Sequence, residues 1–525
     1  MSRTGARCVV DALAAHGIQH LFTLSGNQIL SIYDATVGSS IALVHTRHEA
    51  AAVHMADAWG RLTDQPGVAL VTAGPGHCNA VSALYGALMS ESPVVLLSGH
   101  APRSQLGTGA FQEMDQVGAA RPVTKASWLA ESVDTLGDDI TRALALATSG
   151  RPGPVHVSLP GDVLEAIASN GPRLVVPASP ATTDLSVAAV RETLGLLAGA
   201  RRPLIITGPA MGRGKRWRVV AALAELTQIP ALVMESPRGV NDPSLRAAAA
   251  CLAEADVVLL LGKKLDYTLR FGRPPAFAAD ARFVHVDFDA GTDPAAGVDA
   301  LLSMARERTW RRTEWRDEVE TAQRALPPGW DDLQASPRSP MHPVRLCAAL
   351  QPYLDRGAVL VSDGGEFGQW AQAALVAQTR LINGPSGSIG SAVPMALTAK
   401  IVHPDRAVIT TLGDGTFGYH ALEFDTALRY GLPIVAIIGN DARWNAEYQL
   451  QIQHYGAART VGCELLPSRY DRIVEALGGH GECVERPEEL APAVERAIAS
   501  GRPACVNVAI DGTAAPTFKG RAPAH

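Results

Sequence analysis

Two short segments carry side chains that could hold a cation against an anionic ligand. One reads Gly413-Asp414-Gly415-Thr416-Phe417-Gly418, the other Gly439-Asn440-Asp441-Ala442-Arg443. Each follows a short apolar run, Ala407–Thr411 and Ile434–Ile438, of the kind that forms a buried strand. Asp414 therefore leaves the end of one strand, and the neighbouring strand delivers Asn440 and Asp441 to the same edge. The flanking glycines permit a tight turn and let bare backbone approach an anion. The amides of the helix that follows can bind phosphate. Two oxygen-bearing side chains and an exposed carbonyl meeting a diphosphate make the octahedral oxygen shell that magnesium takes. A Gly-Asp-Gly turn by itself is common, and the strand context with its second segment is what makes it informative.

Four further groups could do chemistry. Glu49 follows the strand-like run Ile41–Val44 and opens an Ala-rich helix, Glu49–Leu62. Alone it reads either as an acid complementing the helix dipole or as a carboxyl held dry for proton transfer. Thr72-Ala73-Gly74-Pro75-Gly76-His77 follows the strand candidate Gly67–Thr72 and puts bare backbone near a ligand. His77 there is either an acid–base group or a helix-start histidine with a structural bond. Ala110-Phe111-Gln112-Glu113 offers Gln112 and Glu113 as substrate contacts or as a solvated turn. Asp363-Gly364-Gly365-Glu366 and Gly387-Ser388-Ile389-Gly390 are glycine-bearing turns next to helical stretches.

The elements that must position these groups alternate short strands with longer helices throughout. Strand candidates also include Pro93–Ser98, Pro203–Thr207, Ala231–Met234, Asp256–Leu261, Arg282–Asp287, Ala358–Ser362 and Ala504–Ile510. Such runs, bounded by Gly and Pro with helices between, predict an α/β protein of doubly wound parallel sheets. These sheets bind ligands at the carboxyl ends of their strands. Pro-rich stretches near 169–184 and 327–343 predict three domains: 1–170, 185–327 and 343–525. The first and third could share a fold.

With these motifs assembled, the chain resembles the thiamine-diphosphate-dependent enzymes over about Gly17 to Ile510. Their pattern is Gly-Asp-Gly, then Asn beyond an intervening helix and strand; here 24 residues (416–439) lie between Gly415 and Asn440. The resemblance implies thiamine diphosphate and Mg2+ as cofactors. It implies Asp414 and Asp441 as metal ligands through their side chains and Arg443 through its backbone carbonyl. Many relatives carry Asn where this chain has Asp441, a change that keeps the oxygen ligand and adds charge. Glu49 is implied as the residue that bonds the thiamine pyrimidine and promotes the tautomer that takes the C2 proton. In relatives that Glu serves a cofactor held by the partner chain, which implies a homo-oligomer, dimer or tetramer. Gly76 is implied beside the pyrimidine, Gly365, Glu366, Gly415 and Thr416 near the diphosphate, and Ile389 as the apolar wedge that keeps the cofactor bent. Three domains are implied: pyrimidine-binding, central Rossmann-like and diphosphate-binding.

The member of the family is less sharply marked. Ile32-Tyr33-Asp34-Ala35, Phe111-Gln112-Glu113 and Pro122–Lys125 look like acetolactate synthase. Acetolactate synthases, however, place a Trp after a Gln beyond the metal ligands, where this chain has Gln449-Leu450. Phe417-Gly418-Tyr419 and Glu423-Phe424-Asp425-Thr426 look closer to acetolactate-synthase-like 2-hydroxyacyl-CoA lyases, and Gly262–Gly272 is similar to a segment of those lyases and of oxalyl-CoA decarboxylases. The expectation is an acetolactate synthase-like carbon–carbon lyase or carboligase acting on 2-keto acids or 2-hydroxyacyl compounds. A 2-hydroxyacyl-CoA lyase, a 2-keto acid decarboxylase and a non-catalytic cofactor-binding homologue are the alternatives; the last would lack Glu49 or Asp414, and both are present. Some relatives hold FAD or ADP in the central domain, and no motif here decides for either.

Composition narrows the classes. With 525 residues, 47% hydrophobic and 19% charged, the chain can bury several cores. A net charge of -6 and no basic run argue against a nucleic-acid partner. No apolar run is long enough for a membrane span, and Met1 to Val10 lacks the long apolar core and cleavage site expected of a signal peptide. Seven scattered cysteines without a CxxC predict reduced thiols in a cytoplasmic protein. A nicotinamide-dependent oxidoreductase would need a GxGxxG turn after a first strand, which the chain lacks.

Overall fold

In a computed structural model the chain is described over residues 3–169, 185–288 and 293–517. Its strands form three sheets in which every pairing is parallel. The first sheet contains β1 (His20–Thr23), β2 (Ala42–His45), β3 (Gly67–Val71), β4 (Val94–His100), β5 (Ala126–Leu129) and β6 (Val155–Pro160), in the order β2-β1-β3-β4-β6-β5. The central sheet contains β7 (Pro203–Thr207), β8 (Ala231–Val233), β9 (Val257–Leu261) and β10 (Arg282–Val286), in the order β10-β9-β7-β8. The third contains β11 (Val359–Ser362), β12 (Arg380–Ile382), β13 (Val408–Gly413), β14 (Val435–Asn440), β15 (His480–Val484) and β16 (Ala504–Ala509), in the order β12-β11-β13-β14-β16-β15. The expected α/β class with three parallel sheets is what the chain adopts, and helices connect the strands as parallel crossovers require.

Composition explains which strands sit where. β3, β4 and β9 read Gly-Val-Ala-Leu-Val, Val-Val-Leu-Leu-Ser-Gly-His and Val-Val-Leu-Leu-Leu, and all of their residues are buried. Parallel strands covered on both faces need such continuous apolar runs rather than alternation. Burying one such Val or Leu contributes on the order of 1.5–3 kcal/mol. The helix Glu49–Thr63 is almost wholly buried, and its small residues allow close packing. The His48 ring accepts from the Ala50 amide at its start, and Asp64 ends it in the left-handed region (φ 58°).

One compact unit carries the first sheet together with Leu397–Val402 and Asp425–Tyr430; the other carries the central and third sheets. The expected linker at 169–184 lies outside the described residues, apart from Ser169. The Pro-rich stretch at 327–343 contains a short helix, Trp330–Ala335, so it is not the plain linker expected. Trp330 is 5% exposed and joins the core beneath the third sheet, its ring 5.6 Å from that of Trp370. Buried aromatic area outweighs the local Pro and Gly signal there. Among the described residues no helix is long and apolar enough to cross a membrane.

Candidate active site

The carboxyl edge of the third sheet forms a cavity of about 180 Å3. Loops after β11, β12, β13 and β14 line it, and the loop after β8 adds Ser236, Pro237 and Arg238. Asp414 stands at the end of β13 as the first residue of the helix Asp414–His420 and is 2% exposed. Burial pushes its carboxyl up to about 6, an effect that nearby backbone amides, Gly415 foremost, offset in part. Among the described residues its Oδ2 atom has no hydrogen-bond partner. Asp441 follows β14, and burial together with the charge of Asp414 pushes it up to about 7. Asn440 points elsewhere: its amide donates to Ser468 O (3.0 Å) and Asn507 Oδ1 (3.1 Å), and its Oδ1 accepts from the Ala442 amide. It holds the turn and leaves Asp441 to face the cavity.

The turn also prepares a carbonyl. Trp444 N donates to Cys463 O (2.7 Å), and Leu465 N donates to Ala442 O (2.7 Å). These bonds flank the antiparallel bridge between Arg443 and Glu464 and use the backbone groups on either side of Arg443. Among the described residues the Arg443 carbonyl accepts no hydrogen bond. Its guanidinium lies over the Tyr448 ring, 4.6 Å from the centroid. The edge thus presents two carboxyl groups disfavoured as anions and a spare carbonyl, the oxygen set a hard divalent cation takes. Among the described residues no cluster of three or more His, Cys, Asp or Glu offers another metal site.

The remaining wall suits a phosphate-bearing ligand. A Cβ on Gly415 would lie 2.7 Å from the Trp444 ring, so that ring packs directly on backbone. Gly365 sits at φ +79°, where a side chain is disfavoured, and opens the helix Gly365–Ala374. Thr416 is 5% exposed and donates to Gly413 O (3.0 Å). Ile389 packs against Gly364, where an added Cβ would meet its Cγ2 at 2.8 Å. Asp363, fully buried, accepts from the amides of Gly364 (2.7 Å), Gly390 (2.9 Å) and Ala392 (3.1 Å) and so fixes the Ile389 loop to the end of β11. Glu366 accepts from the Ala515 amide and from Gln369 Nε2 (3.0 Å), and burial raises its carboxyl above the usual range.

The carboxyl edge of the first sheet is built differently. Glu49 is 9% exposed at the start of its helix, and its Oε2 accepts from Asn79 Nδ2 at 3.0 Å. Gly76 lies beside it, where a Cβ would stand 3.3 Å from Oε1. Thr72 fills the gap between Gly76 and Gly26 and donates to Gln28 Oε1. Gln112 is left-handed (φ 59°), and its backbone lies against Gly74. The Glu113 carboxylate accepts from the amides of Gly107, Gly109 and Ala110, so its own loop engages it. His77 points away from this edge. It is fully buried, Nδ1 lies 2.9 Å from Ser98 Oγ, and its ring stands 4.6 Å from that of His156. Burial pushes His77 down to about 4, which keeps it neutral.

Of the residues expected from the sequence, Gly365, Glu366, Ile389, Asp414, Gly415, Thr416, Asp441 and Arg443 line one cavity. Glu49 and Gly76 meet at the other edge, with the Gln112 loop against Gly74. The sequence reading missed Ser236–Arg238, Asn383 and Asn445 as lining residues. It also missed Asn79 as the partner of Glu49. Asn79 lies four residues into the helix that begins at Pro75, and that placement was a signal within reach.

Comparison with known proteins decides the family. Residues 3–119, 190–294 and 363–508 match the N-terminal TPP binding, central and C-terminal TPP binding domains of thiamine pyrophosphate enzymes. The acetolactate synthase large subunit IlvG of Mycobacterium tuberculosis is 37% identical over 533 residues, covering 97% of this chain and 96% of that protein. The chain belongs to the thiamine pyrophosphate enzyme family. Human 2-hydroxyacyl-CoA lyase 2 is 30% identical over 97% of this chain and 90% of its own length, and human 2-hydroxyacyl-CoA lyase 1 is 28% identical over 97% and 94%. This thiamine pyrophosphate enzyme is thus similar to both acetolactate synthases and 2-hydroxyacyl-CoA lyases. Glu49, Gly76 and Gln112 fall inside its N-terminal domain match, and the residues from Gly365 to Arg443 inside the C-terminal one.

Proposed function

We propose that the protein is a thiamine-diphosphate- and Mg2+-dependent enzyme that cleaves or forms a carbon–carbon bond beside a carbonyl, on 2-keto acids or 2-hydroxyacyl compounds. The observation that carries this reading is the pair of under-compensated carboxyls, Asp414 and Asp441, beside the spare Arg443 carbonyl. Those three groups would hold the magnesium ion. The amides at the starts of the helices Gly365–Ala374 and Asp414–His420 would receive the diphosphate. When bound, thiamine diphosphate supplies the electron sink for the bond that breaks or forms. Ile389, its loop fixed through Asp363, would give it apolar support. Glu49, its carboxyl group oriented by Asn79, would face the pyrimidine as the group that exchanges a proton with it. Gln112 stands as a substrate contact, and the working assembly is at least a homodimer.

A lyase acting on acyl thioesters is the second reading. Where acetolactate synthases carry a bulky Trp this chain has Leu450, which is 49% exposed on the helix Asn445–Tyr455. That leaves room for a larger substrate. The test is turnover of pyruvate, and separately of a 2-hydroxyacyl-CoA, by protein reconstituted with thiamine diphosphate and Mg2+. Products are identified by mass, and Glu49→Gln runs beside the wild type. Acetolactate assigns a carboligase, acetaldehyde a decarboxylase, and an aldehyde released from the thioester a lyase. No turnover of either substrate with cofactor bound would refute the catalytic reading.

A further inference from the structure

Beside the cofactor cavity lies a second one of about 450 Å3, lined by Pro237, Arg238, Asn241, Tyr267, Arg270 and Phe271. Pro237 and Arg238 line both, so the two spaces adjoin. The segment that walls the outer space is built with care. Asp266 accepts from Thr268 N (2.9 Å), Thr268 Oγ1 (2.6 Å) and Lys263 Nζ (2.8 Å). Phe271 N donates to Asp266 O (2.9 Å), and the Tyr267 hydroxyl donates to Pro385 O (2.7 Å). Gly239, left-handed at φ +53°, lets the Thr268 carbonyl approach so closely that a Cβ there would lie 1.9 Å from it.

Within this frame Arg270 (φ 49°, ψ 32°) and Phe271 (φ 55°, ψ 28°) are both left-handed, and Gly272 continues at φ 68°. Two successive side-chain-bearing residues in that region are disfavoured and persist only where their surroundings hold them. The outcome of that strain is display. Phe271 is 57% exposed and Tyr267 47%. Arg270 is exposed, and among the described residues its side chain makes no hydrogen bond or ion pair. Arg238 is also exposed, and the acid it faces, Glu366, already accepts from Ala515 and Gln369. Arg273 adds a third guanidinium 6.0 Å from the Phe271 ring centroid.

We propose that this outer groove receives a remote oxyanion, phosphate or carboxylate, of an extended substrate whose reacting carbonyl sits in the adjoining cavity, with Arg238 and Arg270 as its anchors. Guanidinium groups match the geometry of both oxyanions. The exposed faces of Phe271 and Tyr267 offer apolar area to whatever joins the two ends of such a molecule. A short 2-keto acid such as pyruvate cannot reach both spaces, so Arg270 distinguishes long anionic substrates from short ones. The inference rests on the function proposed above and narrows its substrate class.

The test uses the full chain with thiamine diphosphate and Mg2+, as wild type, Arg270→Gly and Phe271→Gly. Coenzyme A is titrated by calorimetry, which reads the groove whether or not the protein turns anything over. Arg270→Gly is expected to weaken that binding at least tenfold and to raise the melting temperature by roughly 2–4 °C as backbone strain is released. In kinetics, KM for a 2-hydroxyacyl-CoA and for 2-oxoglutarate separates a phosphate from a carboxylate source, because the anion the groove accepts shows the larger rise on Arg270→Gly. Turnover of pyruvate stays unchanged. Absence of coenzyme A binding together with equal KM for both long substrates in wild type and variant would overturn the proposal. Coenzyme A binding with no turnover of any substrate would instead refute the catalytic reading and leave the groove standing.

Discussion

The first and third sheets have the same strand order, second-first-third-fourth-sixth-fifth, yet their carboxyl edges are opposites in electrostatics. At the first edge Glu49 is paired with Asn79, Thr72 with Gln28, and Gly74 N with Gln116 Oε1. At the third edge the hydrogen-bond scheme is left open. Among the described residues Asp414 Oδ2 has no partner; burial raises Asp414, and burial with the charge of Asp414 raises Asp441. The switch point of a parallel sheet gives a crevice and nothing more. Whether that crevice shapes a proton relay or awaits a cation depends on how many carboxyls it buries and how few donors it offers them. On the proposed function, one scaffold carries two halves of a chemistry.

The largest effects should separate the two edges. Asp414→Asn removes a buried charge and, on the proposed function, leaves the metal a weaker, neutral oxygen ligand. Cofactor affinity in the presence of Mg2+ should fall by about 100-fold or more, roughly 3 kcal/mol. The metal-free variant should melt a few degrees higher, since about 1 kcal/mol shifts Tm by roughly 2–4 °C at this domain size. A lower melting temperature would mean that Asp414 is structural. Glu49→Gln should cut kcat/KM by about 100- to 10,000-fold with cofactor affinity little changed. If affinity fell as far as in Asp414→Asn, the division of labour between the edges would be wrong.

Acid should act on the two regions in opposite directions. His77 titrates near 4 in the folded chain against an ordinary 6.5, and His156 is lowered too, both chiefly by burial. The unfolded state therefore binds more protons as pH falls below 6.5, and the first region loses stability over that window, by roughly 3 kcal/mol for His77 at full titration. Asp363 is raised to about 6 from an ordinary 3.8 by burial. Its folded form keeps a proton that the unfolded form releases, so the third region gains stability as pH falls through 6 toward 3.8. Hydrogen exchange read by mass, corrected for intrinsic rates, should show β4 and β6 losing protection from about pH 7 to about pH 5 while β11 and β13 keep theirs. Equal loss in both would break the comparison.

The sequence showed the third edge better than the first for a physical reason. Asp414 and Asp441 sit at the ends of long apolar strands, where the register of chemistry and periodicity coincide. β1, β5, β6, β12 and β15 went unread; β1, β5, β12 and β15 are short or polar, and β6, Val-His-Val-Ser-Leu-Pro, breaks its apolar run with His156 and Ser158 although it is fully buried. β12 is Arg-Leu-Ile, and β15, His-Gly-Glu-Cys-Val, is an edge strand with four of five residues half-exposed. Edge position relaxes the apolar requirement, so propensity alone could not find them. The pocket contribution of Ser236–Arg238 comes from another sheet, and no local pattern encodes such a meeting. Orientation was equally silent: His77 and Gly76 are neighbours in sequence, yet one faces the core and the other Glu49.

The smallest expected effect concerns what covers the third edge. The segment after Asp511 reads in sequence as either a lid or a frayed end. Its described part is tied down at three points: Gln449 Nε2 donates to Gly512 O (2.9 Å), Trp370 Nε1 to Thr513 O (3.0 Å), and Ala515 N to Glu366. All three partners lie on helices flanking the cavity, so the tail reports on its wall. Trp370→Phe deletes one tie and keeps most of the ring that packs against Trp330 and His342. One neutral hydrogen bond is worth about 0.5–1.5 kcal/mol, so the tail should open roughly 2- to 10-fold more often. Limited proteolysis should show faster cleavage near Ala514, with global melting little changed. If cleavage quickens no more than melting does, the bond supports the core and the tail is a passenger. If it quickens alone, the third edge has a cover that loosens independently of the sheet beneath.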